Sequence, residues 1–222
     1  MIGKGKSISH GVAALEYDLA KEINGQAVAT EIARHELYGC TGAEMVQEMK
    51  PYHIDFPNVK NNCLRFEVSP SIEESATFTD ADWAELGNDF MQRMGLANHQ
   101  YIIIRHSGTE SKKEQAHLHI LANRVSLSGE LYRDNWIGKK ATEAANAIAK
   151  ERNFVQSQDI GKVNKAEIKE AMDGVLKKMQ GFDFTKFKEE LGKRGFKVRE
   201  ARASTGKLNG YYVTARSGTE YK

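Results

Sequence analysis

The sequence predicts an α+β fold in which helices pack on a central antiparallel β-sheet. Strand-like and helix-like segments are interspersed along the 222 residues and joined by short links, which is typical of this class. Two pairs of strand-like segments, at 101–125 and 196–216, follow each other closely enough to form hairpins. The length allows one sizeable domain, or a domain with an appendage.

The elements follow from the periodicity of apolar residues along the chain. Residues Val12, Leu15 and Leu19 mark one face of a first helix, and Thr79 with Asp82 is a plausible capping pair for a later one. In order, we predict a strand at 3–8, a helix at 10–22, helical structure at 27–50, a strand at 61–68, a helix at 80–95, the hairpin at 101–125, a short strand at 130–134, helices at 139–153, 163–180 and 185–195, and strands at 196–202 and 210–216.

Composition and charge predict the cellular location of the protein and the kind of partner it binds. No stretch approaches the roughly 20 apolar residues of a membrane span, and the N-terminus lacks the apolar core of a signal peptide, so we expect a cytoplasmic protein with no membrane insertion. Cys40 and Cys63 are expected to be free thiols. The net charge of +2 divides into −6 for residues 1–137 and +8 for residues 138–222. A basic C-terminal third suits contact with a polyanion, although solvated lysine faces would give the same counts.

Three of the seven histidines lie at one end of the predicted hairpin at 101–125. Alternate side chains of a strand share a face, so His117 and His119 point the same way. If His106 pairs opposite His117, His119 becomes its diagonal neighbour, and three imidazoles can meet one ion. A single strand histidine is more often simply packed, but three at matching heights predict a metal site for Zn, Mn, Co or Ni rather than Mg.

A metal held by three neutral imidazoles is a Lewis acid with open coordination positions for water or a phosphate oxygen. If the substrate is DNA, a nucleophile and basic surface are needed. Tyr17 on the first helix could supply the nucleophile, but any single tyrosine in a chain with eight is more often a packed aromatic. The residues alone leave this choice open.

The run NNCLRFEVSPSIEESATFTDADWAELGNDFMQRMGLANH followed by QYIIIRHSGTESKKEQAHLHILANRV resembles the mobilization relaxases, the Mob-type branch of the His-hydrophobe-His endonucleases. The resemblance implies a relaxase core over 1–155, and we expect 156–222 to be a helical and hairpin extension that packs on the core and contacts DNA. It also implies nicking of one DNA strand at an origin of transfer, with Tyr17 as nucleophile, Tyr38 as the fallback and a 5′-phosphotyrosyl intermediate. The implied cofactor is a divalent ion (Mn, Mg, Zn, Co or Ni) on His106, His117 and His119.

Further residues are predicted to assist this chemistry. Glu67 and Asn123 could bond a ligand histidine or orient a phosphate. The candidates for contact with DNA phosphates or bases are Lys4, Lys6, Arg105, Arg124, Tyr132, Trp136, Lys139 and Lys140. The expected partners are single-stranded and hairpin DNA at an origin of transfer, with accessory mobilization proteins and a conjugative coupling protein, in the bacterial cytoplasm.

Two alternatives differ in testable ways. A rolling-circle replication initiator of the same superfamily would carry its nucleophile after the histidines, at Tyr211 or Tyr212. A non-catalytic nucleic-acid-binding module would use the histidines for a structural ion. A covalent adduct with DNA separates both enzymes from the module, and the position of the linked tyrosine separates the two enzymes.

Overall fold

A computed structural model describes residues 1–108, 115–216 and 218–222. They form two compact units, Met1–Ser157 and Gln158–Lys222. Most of the polar loop expected between the strands of the hairpin at 101–125 falls on residues 109–114, outside the described residues. No described helix has the length and apolar character needed to cross a membrane.

The first unit is built on a five-stranded sheet in the order β1-β5-β7-β6-β4, and every neighbouring pair is antiparallel. Its strands are β1 (Ile2–Ile8), β4 (Ala29–His35), β5 (Cys63–Ser69), β6 (His99–His106) and β7 (His117–Ser126), and a separate small hairpin pairs β2 (Glu22–Ile23) with β3 (Gln26–Ala27). The helices are α1 (Gly11–Leu19), α2 (Gly42–Met49), α3 (Ile72–Ser75), α4 (Asp80–Arg93) and α5 (Ile137–Glu151), with a 3-10 turn at Lys50–His53. The predicted α+β class with a central antiparallel sheet is confirmed.

Helices cover both faces of this sheet, so the unit has three layers. Leu64, Phe66 and Ile120 belong to the face that packs with α4 and α5. Leu121 and Ile104 belong to the opposite face, which packs with α1 and α2. Burying each such side chain contributes about 1.5–3 kcal/mol. His106 lies two residues after Ile104, and His119 lies two residues before Leu121. Residues two apart in a strand share a face, so the histidines lie on the face that carries α1.

Two glycines let α5 approach the edge strand β1. A Cβ atom at Gly3 would lie 2.4 Å from the carbonyl oxygen of Ala141, and one at Gly5 would lie 2.8 Å from the Phe66 ring. Any side chain at these positions would push α5 or Phe66 away. Since strand residues alternate, Lys4 and Lys6 point to the opposite face, where the histidines lie.

The helical prediction for residues 27–50 is wrong in its first half. Residues 29–35 form β4, which pairs with β6 from Ala29 opposite His106 to His35 opposite Tyr101. This pairing overrides the helical preference of the Ala, Glu and Arg residues in the segment. The helix starts only at Gly42, behind a capping box made by Thr41 and Glu44.

The strand predicted at 130–134 is also wrong. It is reduced to one bridge between Val125 and Leu131. A single bridge satisfies too few backbone groups to extend a strand beside β7. The chain turns instead into α5, whose first residue is Ile137.

The second unit has its own core. It contains α6 (Ser157–Leu176), α7 (Phe184–Lys193), β8 (Lys197–Arg202), β9 (Leu208–Thr214) and β10 (Glu220–Tyr221), with the strands in the antiparallel order β10-β9-β8. The buried apolar residues are Ile168, Ala171, Val175, Phe187, Leu191, Phe196, Val198, Val213 and Ala215. The predicted helices and the hairpin are confirmed, α6 begins six residues before the predicted start, and β10 was not predicted.

Candidate metal centre and active site

The register of the hairpin places the three histidines together. His106 in β6 pairs with His117 in β7, as predicted, and His119 follows on the same face. One ring nitrogen from each of the three lies within 4.8 Å of the others. The Nε2 atoms of His117 and His119 are 3.0 Å apart. The predicted convergence of the imidazoles is confirmed.

The geometry of the ring nitrogens fits a divalent ion. Two atoms that each lie about 2.0–2.1 Å from one ion are separated by roughly 3–3.5 Å, which matches the Nε2 pair. His117 donates from Nδ1 to the carbonyl of Gln115 at 3.1 Å, and His106 donates from Nε2 to the carbonyl of Asp18 at 2.7 Å. Each of these bonds leaves the other ring nitrogen unprotonated and available as a ligand.

The surroundings of two of these rings disfavour the charged form, and imidazole ligands of a metal must be neutral. Burial lowers the pKa of His106. Burial, followed by repulsion from His106 and His117, lowers the pKa of His119 to about 2. His106 and His119 therefore resist protonation, which suits them to hold a cation.

Asp18 is the acidic residue at this centre that sequence analysis missed. Its side chain is only 1% exposed, and its carboxylate accepts hydrogen bonds from Nε and Nη2 of Arg65. Oδ1 of Asp18 also lies 3.7 Å from Nδ1 of His119. With its backbone carbonyl on His106, Asp18 contacts two of the three histidines. A signal was present: Asp18 lies three residues after the buried Leu15, on the same side of α1.

Glu67 does not take the predicted place beside a ligand histidine. It lies opposite His119 in the strand register, but its carboxylate bonds the ammonium group of Lys4 at 2.9 Å. Since α1 brings Asp18 against the histidines, the carboxylate near His119 comes from the helix and not from the neighbouring strand.

Asn123 is also placed differently from its predicted role. It shares the histidine face but is fully buried, where its Oδ1 bonds Nε2 of His53 at 2.7 Å and the backbone N–H of Val125 at 3.0 Å. Its Nδ2 donates to Gln100 at 3.0 Å and to the carbonyl of Met49 at 3.3 Å. The amide therefore joins β7 to the neighbouring segments and has no bonding capacity left for a phosphate.

Replacing Asn123 with Leu is expected to destabilise the chain by at least about 2 kcal/mol, because buried partners of the amide would lose their hydrogen bonds. Urea unfolding followed by circular dichroism measures this loss. The affinity for Mn²⁺ should stay within twofold of wild type, since no histidine of the centre bonds Asn123. A large loss of metal affinity in a folded Asn123→Leu protein would support the predicted role of Asn123 as a partner of a ligand histidine.

The two candidate tyrosines differ in their contacts. Tyr17 is 56% exposed near the end of α1, and its hydroxyl accepts a hydrogen bond from the ammonium group of Lys21 at 2.6 Å. Asp18, the next residue of α1, bonds His106 through its backbone carbonyl, so Tyr17 lies one residue from a direct contact with the histidines. The hydroxyl of Tyr38 instead donates to Glu36 at 3.0 Å, and this bond raises the pKa of Tyr38.

The predicted DNA contacts fall into three groups. Lys4 and Lys6, together with Arg65, line a cavity of about 200 Å³ beside His119. Arg105 and Arg124 form ion pairs with Asp80 and Asp134 respectively. The remaining candidates, Tyr132, Trp136, Lys139 and Lys140, lie before or at the start of α5.

Tyr211 and Tyr212, the nucleophiles expected of a replication initiator, lie in β9 of the second unit. The ring of Tyr211 stacks on Phe184 with centroids 4.7 Å apart. The guanidinium of Arg199 covers the ring of Tyr212 at 4.0 Å. Both rings therefore have packing roles inside that unit.

Comparison with known proteins identifies the family of the chain. A family model described as "Relaxase: MobA/VirD2-like, nuclease domain" matches residues 17–154. Two solved structures of the conjugative relaxase TrwC in complex with oriT DNA, one metal-bound and one metal-free, are similar to the chain at 12% and 10% identity. Each has a TM-score of 0.41 and covers 93% of this chain and 74% of its own. Comparison with curated proteins found no match. Since the family model spans more than half of the sequence, the chain belongs to the family of MobA/VirD2-like relaxase nuclease domains.

Proposed function

We propose that this chain is a relaxase that nicks one strand of DNA at an origin of transfer by attack of Tyr17 on a phosphodiester. One observation carries the assignment of residues. The ring nitrogens of His106, His117 and His119 converge within 4.8 Å of one another, and Asp18, which follows Tyr17 in α1, bonds His106. Membership of a relaxase nuclease family supplies the reaction class.

The three histidines would hold a divalent ion, which supplies Lewis-acid polarisation of a non-bridging phosphate oxygen when bound. Mn, Mg, Zn, Co and Ni stay candidates. Asp18 orients His106 and His119 from outside the ligand set, and Arg65 neutralises the carboxylate of Asp18. The chain thus provides both the ligands and the groups that fix their orientation.

Tyr17 and Lys21 perform the bond exchange. The ammonium group of Lys21 donates to the phenolic oxygen and so stabilises the negative charge that develops there, while the phenolic proton passes to solvent water. The bond from this oxygen to phosphorus forms, the bond from phosphorus to the 3′-oxygen breaks, and the 3′-oxygen takes up a proton from solvent. The 5′ end remains on the protein as a phosphotyrosine ester. Because one ester replaces another, the reverse attack can rejoin the strand.

Replacing Lys21 with Met is expected to slow adduct formation by about 10- to 100-fold, the loss that corresponds to one hydrogen bond to a charged group. Single-turnover assays with excess enzyme measure the rate directly. Lys21→Arg should recover much of it, and Lys150→Met, which removes an exposed lysine from α5, should have no effect. An unchanged rate in Lys21→Met would remove Lys21 from the mechanism.

The substrate of this site is single-stranded DNA beside a hairpin, and we propose that basic surface on both units supports its binding. Lys4 and Lys6 line the cavity beside His119, which supports a role for them in contact with phosphates. Residues 158–222 carry 15 Lys and Arg against nine Asp and Glu, an excess that favours sequence-independent affinity for DNA. Accessory mobilization proteins, a coupling protein and the bacterial cytoplasm follow from the family resemblance and stay predictions.

Mass spectrometry of the DNA-linked peptide tests the proposal. The full chain is incubated with Mn²⁺ and a randomised pool of single-stranded DNA, and adducts that survive denaturation are digested and sequenced. We expect the DNA to be linked to Tyr17. Linkage to Tyr211 or Tyr212 would indicate a replication initiator. DNA binding without any adduct would leave a nucleic-acid-binding module with a structural ion.

A further inference from the structure

Trp136 presents an unusual surface just before α5. Its side chain is 81% exposed, whereas Trp83, the other tryptophan of the chain, is buried in the core. Its backbone is left-handed, with φ 58° and ψ 28°, a conformation that is rare for a bulky residue. Such outliers persist where the surrounding structure holds them, often at functional positions. The fold therefore keeps a large aromatic ring in solvent at some energetic cost.

The side chains beside this ring are mostly cationic. Trp136, Lys139, Lys140 and Glu143 line a surface cavity of about 290 Å³. Lys140 donates to the backbone carbonyl of Arg133 at 2.8 Å, which keeps its ammonium group close to this cavity. Lys139 lies 3.8 Å from Glu143 in an exposed pair, which is worth little in water. A flat aromatic surface flanked by cations suits a nucleobase with its phosphates.

The strand β1 connects this surface to the histidine centre. A Cβ atom at Gly138 would lie 3.5 Å from the carbonyl oxygen of Gly5. Gly5 lies between Lys4 and Lys6, which line the cavity beside His119. Lys4 and Lys6 face the histidines, whereas Gly5 faces the start of α5. Since β1 is an edge strand of the sheet, this edge offers a DNA strand a route from the histidines to Trp136.

We propose that Trp136, with Lys139 and Lys140, forms a stacking subsite for one base of the single-stranded DNA that flanks the nick. The inference rests on the proposed function and adds a second contact to the same substrate. The base lies on the indole ring, and the lysines contact the adjoining phosphates. Single-stranded DNA is favoured over duplex because its bases are free to stack on a side chain, whereas paired bases already stack on each other.

Tryptophan fluorescence provides a direct test. The full chain is titrated with a 20-nucleotide oligothymidylate in EDTA, which prevents cleavage, and separately with a blunt duplex of equal length. We expect the single strand to quench the fluorescence of the exposed Trp136 and to leave the fluorescence of the buried Trp83 unchanged. Equal quenching by duplex, or quenching by neither, would overturn the stacking subsite.

Two substitutions of Trp136 separate its contribution to DNA affinity from its contribution to the fluorescence change. Trp136→Phe should abolish quenching but retain affinity for the single strand within about threefold, because the ring can still stack. Trp136→Ala should lose affinity by about 5- to 100-fold, whereas Phe182→Ala, at an exposed aromatic of the second unit, should not. Wild-type affinity in a folded Trp136→Ala protein would overturn the proposal.

Adduct formation distinguishes this inference from the proposed function. A wild-type chain that shows quenching but never forms an adduct would support the subsite and overturn the relaxase assignment. A chain that forms the adduct without quenching would support the relaxase assignment and overturn the stacking subsite.

Discussion

Replacing Tyr17 with Phe is expected to abolish the covalent adduct, with a fall in nicking rate of at least about a thousandfold, as for the loss of other catalytic nucleophiles. The substitution removes only a hydroxyl group from a largely exposed side chain. Its partner Lys21 lies in solvent contact, so the free energy of unfolding should change by no more than about 0.5 kcal/mol. Denaturing gels that retain the protein–DNA ester measure the adduct.

Tyr38→Phe is the matched control, because Tyr38 is also an exposed tyrosine but bonds a carboxylate. It should form the adduct at the wild-type rate. Both variants should bind single-stranded DNA within about twofold of wild type in fluorescence anisotropy. Retention of the adduct by Tyr17→Phe, together with its loss in Tyr38→Phe, would transfer the nucleophile to the fallback residue.

The histidine centre was predictable because a hairpin has few degrees of freedom. Once the strands at 101–125 were assigned, alternation fixed the face of each side chain. The pairing of His106 with His117 was the one condition that the prediction added, and the structure shows that pairing. Local pattern alone was sufficient, since the three ligands lie within 14 residues of one another.

The groups around the histidines were not predictable in the same way. Asp18 contacts His106, which is 88 residues away in sequence, because α1 packs on the histidine face of the sheet. No periodicity in the sequence specifies how far along the sheet a helix lies. The ion pairs of Arg105 with Asp80 and of Arg124 with Asp134 also depend on tertiary packing, so local pattern does not predict them.

The segment at 29–35 shows the same limit within secondary structure. Its Ala, Glu and Arg residues favour a helix in isolation, but pairing with β6 supplies backbone hydrogen bonds and a place at the edge of the sheet. Strand formation here is a property of the assembled sheet. Local propensity therefore gave the wrong element beside a correctly predicted neighbour.

Asp18→Asn is expected to damage both stability and metal binding, because Asp18 links Arg65 to the histidines. The amide has nearly the same shape but leaves the guanidinium of Arg65 without a counter-charge at a largely buried position. Loss of one partner of such a pair costs about 3 kcal/mol, measured by urea unfolding. Removal of the carboxylate beside His119 should also weaken Mn²⁺ binding by about 10- to 100-fold, measured by isothermal titration calorimetry.

Glu67→Gln separates this effect from a general loss of negative charge near the centre. Glu67 lies opposite His119 in the register but bonds the exposed Lys4, so its removal should cost less than about 1 kcal/mol and leave the affinity for Mn²⁺ unchanged. If Glu67→Gln weakened metal binding as much as Asp18→Asn, general electrostatic attraction between the cation and nearby carboxylates would account for both results. If only Asp18→Asn weakens Mn²⁺ binding, the contact between α1 and the histidines fixes the orientation of the ligands. The helix that carries Tyr17, the proposed nucleophile, then also positions the metal ligands.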